Sequence, residues 1–435
     1  MTTDFTHRAV WRIALPLVLS NITVPLLGLV DTFVVGHLPS PDYLGAVAVG
    51  ATIFSVLFLG MNFLRMGTTG LAAQALGAQD EAELRRVLLR GLTLALVIAA
   101  GLLILQAPIR WFSLALINPE LGIALIASDY YAVRIWAAPA SLMNIVLIGW
   151  FIGRQDGRTP FILMFTINLI NIALDLLFVL HYDLRANGVA LASVIAEYSG
   201  CGLGLWLAWR TLPISQRGEL AEGVLILSRF TSLMRVNADL LIRTLALQAV
   251  FVLITAMGAR QGAVILAANA VLLNFQILAS YALDGFANAA EALVGKAFGA
   301  GQRAALFKAV NLSRQWSVLV AIGITAVFAL TGKPLVQIMT DIDAVRSMAY
   351  TFLPYLVVLP LVSVWSYLYD GVFVGVLRSK DMRNVMLASL LLVFIPTAWW
   401  LRGLGNHGLW IAFTLFMAAR GALMHWHWRQ QPPLK

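Results

Sequence analysis

The sequence predicts an all-α polytopic membrane protein in which twelve transmembrane helices form two six-helix bundles. Its 435 residues are 60% hydrophobic and only 12% charged, and that charged fraction is about half that of a soluble protein. Apolar runs of about 20 residues or more, the length that crosses a bilayer, recur along the whole chain. Motifs of the first half return in the second half at a constant offset. The first two observations exclude a water-soluble fold, and the third predicts two related bundles.

The individual helices are predicted from apolar runs that polar breaks separate. The first run is longer than the core of a signal peptide and no small-residue cleavage site follows it, so we interpret it as a membrane helix. The first six helices are predicted near 11–36, 43–68, 87–109, 121–150, 161–181 and 188–209. The second six are predicted near 236–258, 262–290, 309–331, 346–376, 384–401 and 408–426.

The positions of the basic residues predict the orientation. Most lysines and arginines lie at the N-terminus or in alternate breaks, whereas the opposite breaks hold only Arg110, Arg185, Arg260, Lys333, Arg346 and Arg402. The positive-inside rule therefore places both termini in the cytoplasm. Topology accounts for the net charge of +9, so nucleic acid is not an expected partner. The single cysteine predicts no internal disulfide and no multi-cysteine metal site.

Two pairs of motifs relate the halves of the chain at an offset of 222 residues. "LAAQALGA" at 71–78 aligns with "LVGKAFGA" at 293–300, and "GWFIG" at 149–153 aligns with "GVFVG" at 371–375. Because each copy has an even number of helices, both copies face the same way. The repeat therefore predicts a parallel pseudo-two-fold along the membrane normal.

The repeat also predicts the domain organisation. We expect an N-lobe at 1–209, a cytoplasmic linker at 210–235 and a C-lobe at 236–435. A V-shaped pair of lobes with a central cleft is typical of an alternating-access carrier, although duplication also builds channels and scaffolds.

Acidic residues inside the predicted helices are the strongest functional signal, because a carboxylate in the hydrocarbon layer is rare and costly. Asp31 lies in the first helix, and Asp175 lies in "NLINIALDLL" of the fifth. Asn171, four residues before Asp175, shares its helix face, and an amide there hydrogen-bonds a carboxyl in either protonation state. If helices one and five meet, the two carboxyls cannot easily both ionise. Alternating protonation of this pair is the chemistry of proton coupling.

The second half contains its own membrane-embedded acids. Asp284, Glu291 and Asp370 are expected to line the central cleft, where they would attract a cationic substrate. The alternative is that Asp284 or Glu291 forms a structural ion pair with Arg243 or Arg65. A further acid, Glu197, is expected near the cytoplasmic end of helix six.

Two prolines, Pro16 and Pro25, interrupt the first helix on the approach to Asp31. Proline removes a backbone hydrogen bond and kinks a helix. The kink is either fixed or dependent on the protonation of Asp31, and the sequence leaves both readings open.

Motifs of several other function classes are missing from the sequence. It contains no GxxxxGK[ST] phosphate loop, no HExxH and no GxSxG. We therefore expect a transporter and not an enzyme. A passive channel and an intramembrane enzyme are the rival classes.

The segments "PLLGLVDTFVVGHL" and "GLAAQALGA", together with the NxxxD pattern of helix five, resemble the multidrug and toxic compound extrusion (MATE) transporters. Within that family the chain is most similar to the DinF (DNA-damage-inducible protein F) branch. The resemblance implies that Asp31 is the coupling carboxylate and that Asn171, Asp175 and Ser193 form its polar network. It also implies that the first helix bends at Pro16.

Another branch of the family has a C-lobe cation site, built from an acid on helix seven and an acid with a nearby tyrosine on helix ten. Asp370 and Tyr367 match the pair on helix ten. Arg243 lies close to the helix-seven position, which favours the N-lobe as the coupling site.

The resemblance implies a secondary active efflux antiporter that couples proton influx to the export of lipophilic, often cationic compounds. A sodium-coupled exporter and a flippase for lipid-linked substrates are the alternatives. The flippase is disfavoured because few basic residues lie within the spans: Arg65, Arg134 and Arg243. No cofactor is expected beyond the coupling ion. We expect a multi-pass monomer in the bacterial inner membrane, with membrane lipids and small exported compounds as its partners.

Overall fold

The computed structural model describes residues 5–36, 38, 40–211 and 227–431. Within these ranges, the side chains of 22, 24–27, 29, 31–32, 36, 59 and 227–233 are not described. The predicted linker, 210–235, therefore lies mostly outside the described residues.

Twelve long helices account for almost all of the described chain, as the sequence predicts. In the first half these are α1 (His7–Gly36), α2 (Pro41–Gly77), α3 (Glu81–Ile104), α4 (Leu121–Gly153), α5 (Arg158–His181) and α6 (Arg185–Thr211). In the second half they are α7 (Leu227–Ala259), α8 (Ala263–Gly299), α9 (Arg303–Met339), α10 (Asp343–Gly375), α11 (Ser379–Leu404) and α12 (Asn406–Gln430).

Their length and composition fit a membrane protein. Among the described residues, 11 helices are long and apolar enough to span a bilayer, and these correspond to α2–α12. The 30-residue α1 supplies the twelfth. A short helix, Gln106–Ile117, follows α3.

The backbone repeats at the same offset as the sequence. Residues in the left-handed conformation follow the ends of helices at equivalent places in both halves. This conformation lets backbone N–H groups beyond the helix bond its last carbonyl groups. Gln79 (φ 57°) corresponds to Gly301 (φ 65°), and Gln155 (φ 64°) corresponds to Leu377 (φ 57°). The sequence repeat is thus also a repeat of helix boundaries.

Helix crossings repeat as well. Close backbone contacts explain why the first glycine of the "GWFIG" motif recurs in "GVFVG". A Cβ on Gly149 would lie 2.5 Å from the carbonyl oxygen of Arg65. A Cβ on Gly371 would lie 2.1 Å from the carbonyl oxygen of Ala287, and both members of this pair are 222 residues beyond the first two. Each crossing brings two backbones so close that a side chain at the glycine would clash.

The other repeated motif forms a reciprocal contact between α2 and α8. A Cβ on Gly77 would lie 2.0 Å from the carbonyl oxygen of Lys296, and one on Gly299 would lie 2.0 Å from that of Gln74. Under the 222-residue offset Gly77 corresponds to Gly299 and Gln74 to Lys296, so each contact is the repeat of the other. Such an exchange is what a pseudo-two-fold axis between the two segments produces.

The helices pack as two compact units. One contains Leu19–Ala72 and Asp80–Ser232, and its apolar core includes Phe54, Tyr131 and Ile135. The other contains Leu233–Lys435 together with Met1–Val18 and Ala73–Gln79.

The start of α1 belongs to the second of these units. Trp11 packs edge-on against Phe286 and Trp316, with ring centroids 5.2 and 5.0 Å away. His7 accepts a hydrogen bond from the Trp316 indole at 3.0 Å. Helix α1 therefore contributes residues to both units, and Pro16 lies close to the position where its packing changes.

Candidate functional site

A buried polar cluster joins α5 to α6. Asp175 and Asn171 are 0% and 1% exposed. In the amide orientation that satisfies both neighbours, Asn171 donates to Asp175 Oδ2 at 3.2 Å and accepts from Ser193 Oγ at 3.1 Å. The structure thus brings three of the predicted site residues together. The regular helix of α5 ends at Asp175, and a π-helical segment, Leu176–His181, begins immediately after it, a distortion that is frequent at functional sites.

Helix α5 also contacts α1. Asn168, one turn before Asn171, donates from Nδ2 to Thr23 Oγ1 at 2.7 Å. The same Thr23 hydroxyl donates to the Ser20 carbonyl oxygen at 2.7 Å. The hypothesis that helices one and five meet is therefore confirmed.

The direct partnership of Asp31 with Asp175 stays a prediction. Asp31 lies within α1, but its side chain, like that of Pro25, is outside the described residues. Helix α1 is continuous from His7 to Gly36 and includes both Pro16 and Pro25. A bend that depends on protonation is likewise still a prediction.

A second polar cluster of the same unit centres on Glu197. Asn144 donates from Nδ2 to Glu197 Oε2 at 2.8 Å and to its carbonyl oxygen at 2.9 Å. Arg134 Nη2 lies 3.9 Å from Glu197 Oε1. The expectation that Glu197 lies near the cytoplasmic end of helix six is wrong, because α6 extends from Arg185 to Thr211 and puts this acid near its midpoint.

In the second half, Asp370 lies between two arginines. Arg243 and Arg420 both donate to Asp370 Oδ2, Arg420 at a distance of 2.8 Å. All three residues are buried. Arg243 thus pairs with Asp370, a partner that the sequence analysis did not offer for it beside Asp284 and Glu291. Two guanidinium groups on one carboxylate oxygen repel a metal cation.

Two other predicted residues of the second half, Asp284 and Glu291, lie on α8. Asp284 is close enough to Tyr367 and Arg420 to act on both electrostatically. Glu291 is 2% exposed. Its carbonyl oxygen lies at the close crossing of α8 and α10, where a Cβ added to Gly375 would be only 2.8 Å from it.

A family model described as MatE matches residues 16–177 and 240–400. The chain belongs to the MatE family. The two matched stretches begin in α1 and α7 and end in α5 and α11, so each covers most of the first five helices of one copy of the repeat.

Individual relatives of this MatE chain match it over nearly its whole length. It is 42% identical over 431 residues to DNA damage-inducible protein F of Escherichia coli (strain K12), and the alignment covers 97% of this chain and 93% of that protein. It is 24% identical over 456 residues to the probable multidrug resistance protein NorM of Rhizobium meliloti (strain 1021), covering 97% and 93%. The predicted resemblance to the DinF branch is confirmed.

Solved structures share the fold. A transporter of the MOP superfamily from Pyrococcus furiosus superposes with a TM-score of 0.88, is 17% identical, and covers 98% of this chain and 95% of its own. The predicted fold class is therefore confirmed, and this MatE chain is a multi-pass membrane transporter.

Sequence reasoning missed two residues that matter to these clusters. Arg420, in "MAARGAL" of α12, is 2% exposed, and the signal for it was a lone arginine in an apolar run. Asn144, in "SLMNIVLIGW" of α4, is 3% exposed and was equally visible as a lone amide. Among the residues that the structure describes, no group of three or more His, Cys, Asp or Glu side chains could hold a metal ion.

Proposed function

We propose that this MatE chain is a secondary antiporter that couples proton influx, through Asp31 and Asp175, to the export of lipophilic, often cationic compounds. The observation that carries the proposal is the fully buried Asp175 with Asn171 and Ser193 beside it. A buried carboxyl is stable when it is hydrogen-bonded in its ionised form or when it is protonated. Asn171 can serve both forms, since its amide donates to a carboxylate and accepts from a carboxylic acid.

The contact between α1 and α5 supports a joint role for the two acids. Asp31 lies eight residues beyond Thr23, and Asp175 lies seven residues beyond Asn168. At 1.5 Å per residue both are about 11–12 Å along their helices from the shared hydrogen bond. Because odd-numbered helices cross the membrane in the same direction, we expect the two residues at similar depth.

The state of Asp370 in the second half supports the assignment of the coupling site to the first half. Its acid at the expected helix-ten position, Asp370, is held by Arg243 and Arg420. A carboxylate in that state has no need of a sodium ion or a proton for charge balance. The coupling ion is therefore assigned to the first half.

In the proposed cycle, protonation of Asp31 or Asp175 from the outside changes the bend of α1 at Pro16 and Pro25. The first lobe then contracts and releases the exported compound outward. The membrane potential contributes about 2.3 kcal/mol per charge per 100 mV, which supports roughly a fiftyfold gradient for one inward proton.

The topology and location are part of the proposal. The functional lobes are 1–209 and 236–435, with the linker 210–235 and both termini in the cytoplasm. The 42% identity to a bacterial relative favours the inner membrane of a bacterium. The name of the NorM relative, a probable multidrug resistance protein, favours a broad range of small compounds as cargo.

The test is transport by purified protein in liposomes, with proton and sodium gradients imposed independently. We expect a lipophilic fluorescent cation to accumulate when a proton gradient alone is present. Asp31→Asn and Asp175→Asn should each reduce the rate of accumulation at least tenfold, whereas Asp129→Asn, which changes an exposed acid on α4, should not alter it. Accumulation driven by sodium alone would instead establish the sodium-coupled alternative.

A further inference from the structure

Two arginines of the second unit lie near the C-terminal end of α10. Arg314 of α9 and Arg429 of α12 are each close enough to Tyr369 and His425 to act on both electrostatically. Helix α10, which carries Tyr369, packs against both α9 and α12. The two guanidinium groups therefore approach the same place from two different helices.

A hydrogen bond between Tyr369 and His425 fixes the geometry of this place. It joins the Tyr369 hydroxyl to His425 Nδ1, and the two ring centroids are 5.5 Å apart. Tyr369 is 3% exposed. Arg429 lies four residues after His425 and so shares its face of α12. The bond thus also fixes the position of Arg429 relative to α10.

Neither arginine has a carboxylate partner within the described part of the chain. Helices α9 and α12 contain no Asp or Glu. The acids at this end of the unit, Asp239 and Asp381, form ion pairs with Arg383 and Arg378 instead. Both arginine side chains of the cluster are exposed. Two positive charges therefore lie side by side without a counter-charge from the protein, which favours an anion as their ligand.

The packing of the repeat does not account for these polar residues. Under the 222-residue offset Arg314 corresponds to Leu92, and Tyr369 corresponds to Leu147. Helices α3 and α4 thus have leucine where α9 and α10 have arginine and tyrosine. The same fold is built in the first half without this cluster.

The cluster lies at the boundary of the predicted membrane spans. Arg314 is five residues inside the predicted ninth span, 309–331, and Arg429 is three residues beyond the predicted twelfth span, 408–426. Trp426 is 52% exposed. Exposed tryptophans are enriched where a helix passes through the headgroup layer. The two arginines are therefore at the depth of lipid phosphates.

An exposed apolar strip on α10 leads away from the cluster. Trp365 and Leu361 precede Tyr369 by one and two helical turns, so the three residues lie on one face of the helix. Trp365 is 39% exposed and Leu361 is 38% exposed. A charged headgroup at the arginines would thus have an apolar surface beside it for its acyl chains.

We infer that Arg314 and Arg429 bind the phosphate of an anionic phospholipid. Both guanidinium groups donate charge-assisted hydrogen bonds to the phosphodiester oxygens, and the acyl chains lie along Trp365 and Leu361. Basic pockets between membrane helices commonly bind lipid headgroups on the cytoplasmic side. That side follows from the proposed topology, whereas the site itself depends on neither the topology nor the export function. Under the rival reading, the arginines only orient the chain and meet the membrane surface as a whole.

Lipid binding to the purified full chain in detergent tests this inference. The probes are phosphatidylglycerol, which is anionic, and phosphatidylcholine with the same acyl chains, which is zwitterionic. Native mass spectrometry measures the number and affinity of bound lipids. Phosphatidylglycerol should bind more tightly, and Arg314→Gln and Arg429→Gln should each weaken its binding about fivefold. Equal affinity of the unaltered chain for the two lipids would overturn the inference.

Arg303→Gln is the matched control. It removes the same charge from α9 at an exposed position 11 residues before Arg314, about 16 Å away along the helix. Binding of phosphatidylglycerol should be unchanged in this variant. If Arg303→Gln weakens it as much as Arg314→Gln does, the lipid responds to the overall charge of the surface, and the inference is overturned.

A soluble phosphate distinguishes a lipid site from a site for free anions. Glycerol 1-phosphate at the concentration of the lipid should not displace phosphatidylglycerol, because it lacks the acyl chains that contact α10. Complete displacement would overturn the assignment to a lipid.

If Arg314→Gln does not fold, Arg314→Lys and Arg429→Gln decide the question. Arg314→Lys retains the charge and should still bind phosphatidylglycerol, whereas unaltered binding by Arg429→Gln would overturn the inference. Because the assay uses neither a gradient nor an exported compound, its failure leaves the proposed function intact. Lipid binding by a chain that shows no proton-driven transport would contradict the proposed function and not this site.

Discussion

Asn168 of α5 donates a hydrogen bond to Thr23 of α1, with 2.7 Å between Nδ2 and Oγ1. This bond connects the helix that carries Asp31 to the helix that carries Asp175. Asn168 also lines a cavity of about 220 Å³ beside Glu197.

Thr23→Val removes this hydroxyl while it keeps the side-chain shape. We expect a loss of ~1 kcal/mol in the free energy of unfolding, because the Asn168 amide loses its acceptor. Proton-driven transport should fall as well, since the bond holds α1 to α5. Thermal melting in detergent and the liposome assay measure the two effects. The control is Thr52→Val, an exposed threonine on α2 whose hydroxyl bonds only its own helix; equal effects of both variants would contradict the prediction.

Asp31 and Asp175 should act as one titrating pair. If they share a single exchangeable proton, the double variant Asp31→Asn/Asp175→Asn transports no worse than either single variant. The measurement is the initial rate of cation accumulation under a fixed proton gradient. Single variants with partial rates that multiply in the double variant would indicate two independent sites.

Gly77→Ala and Gly299→Ala should be destabilising to a similar degree. Each new methyl would lie 2.0 Å from a carbonyl oxygen of the opposite segment, so α2 and α8 must move apart. We expect a loss of at least ~2 kcal/mol for each. Gly101→Ala and Gly323→Ala are controls that the 222-residue offset also relates, and no atom lies within 4 Å of either new methyl. Size-exclusion profiles and melting temperatures of the four variants provide the comparison.

Asp370→Asn should destabilise the second unit and leave the driving ion unchanged. The substitution leaves Arg243 and Arg420 buried without their shared carboxylate, which costs about 3–5 kcal/mol. The yield of monodisperse protein should therefore drop sharply, while the folded fraction still responds to a proton gradient. If folded Asp370→Asn loses its response to that gradient, Asp370 takes part in coupling.

The sequence predicted the fold because the determinants of a helical membrane protein are local. Apolar length set the twelve spans, and α4 ends at Gly153, close to the predicted residue 150, whereas α2 continues to Gly77, well beyond the predicted residue 68. The repeat was visible because close helix crossings require glycine at Gly149 and Gly371. The spacing of Asn171 and Asp175 was enough to predict that they share a face.

The pairing of side chains between distant helices was decided by tertiary packing alone. The sequence offered Asp284 and Glu291 as partners for Arg243, whereas packing pairs it with Asp370 and adds Arg420. Glu197, which the sequence analysis expected near the membrane boundary, lies near the middle of α6, where Asn144 of α4 donates to it. The physical reason is that spacing along one helix fixes which face a charge occupies, whereas its partner depends on the rotation and depth of the neighbouring helix.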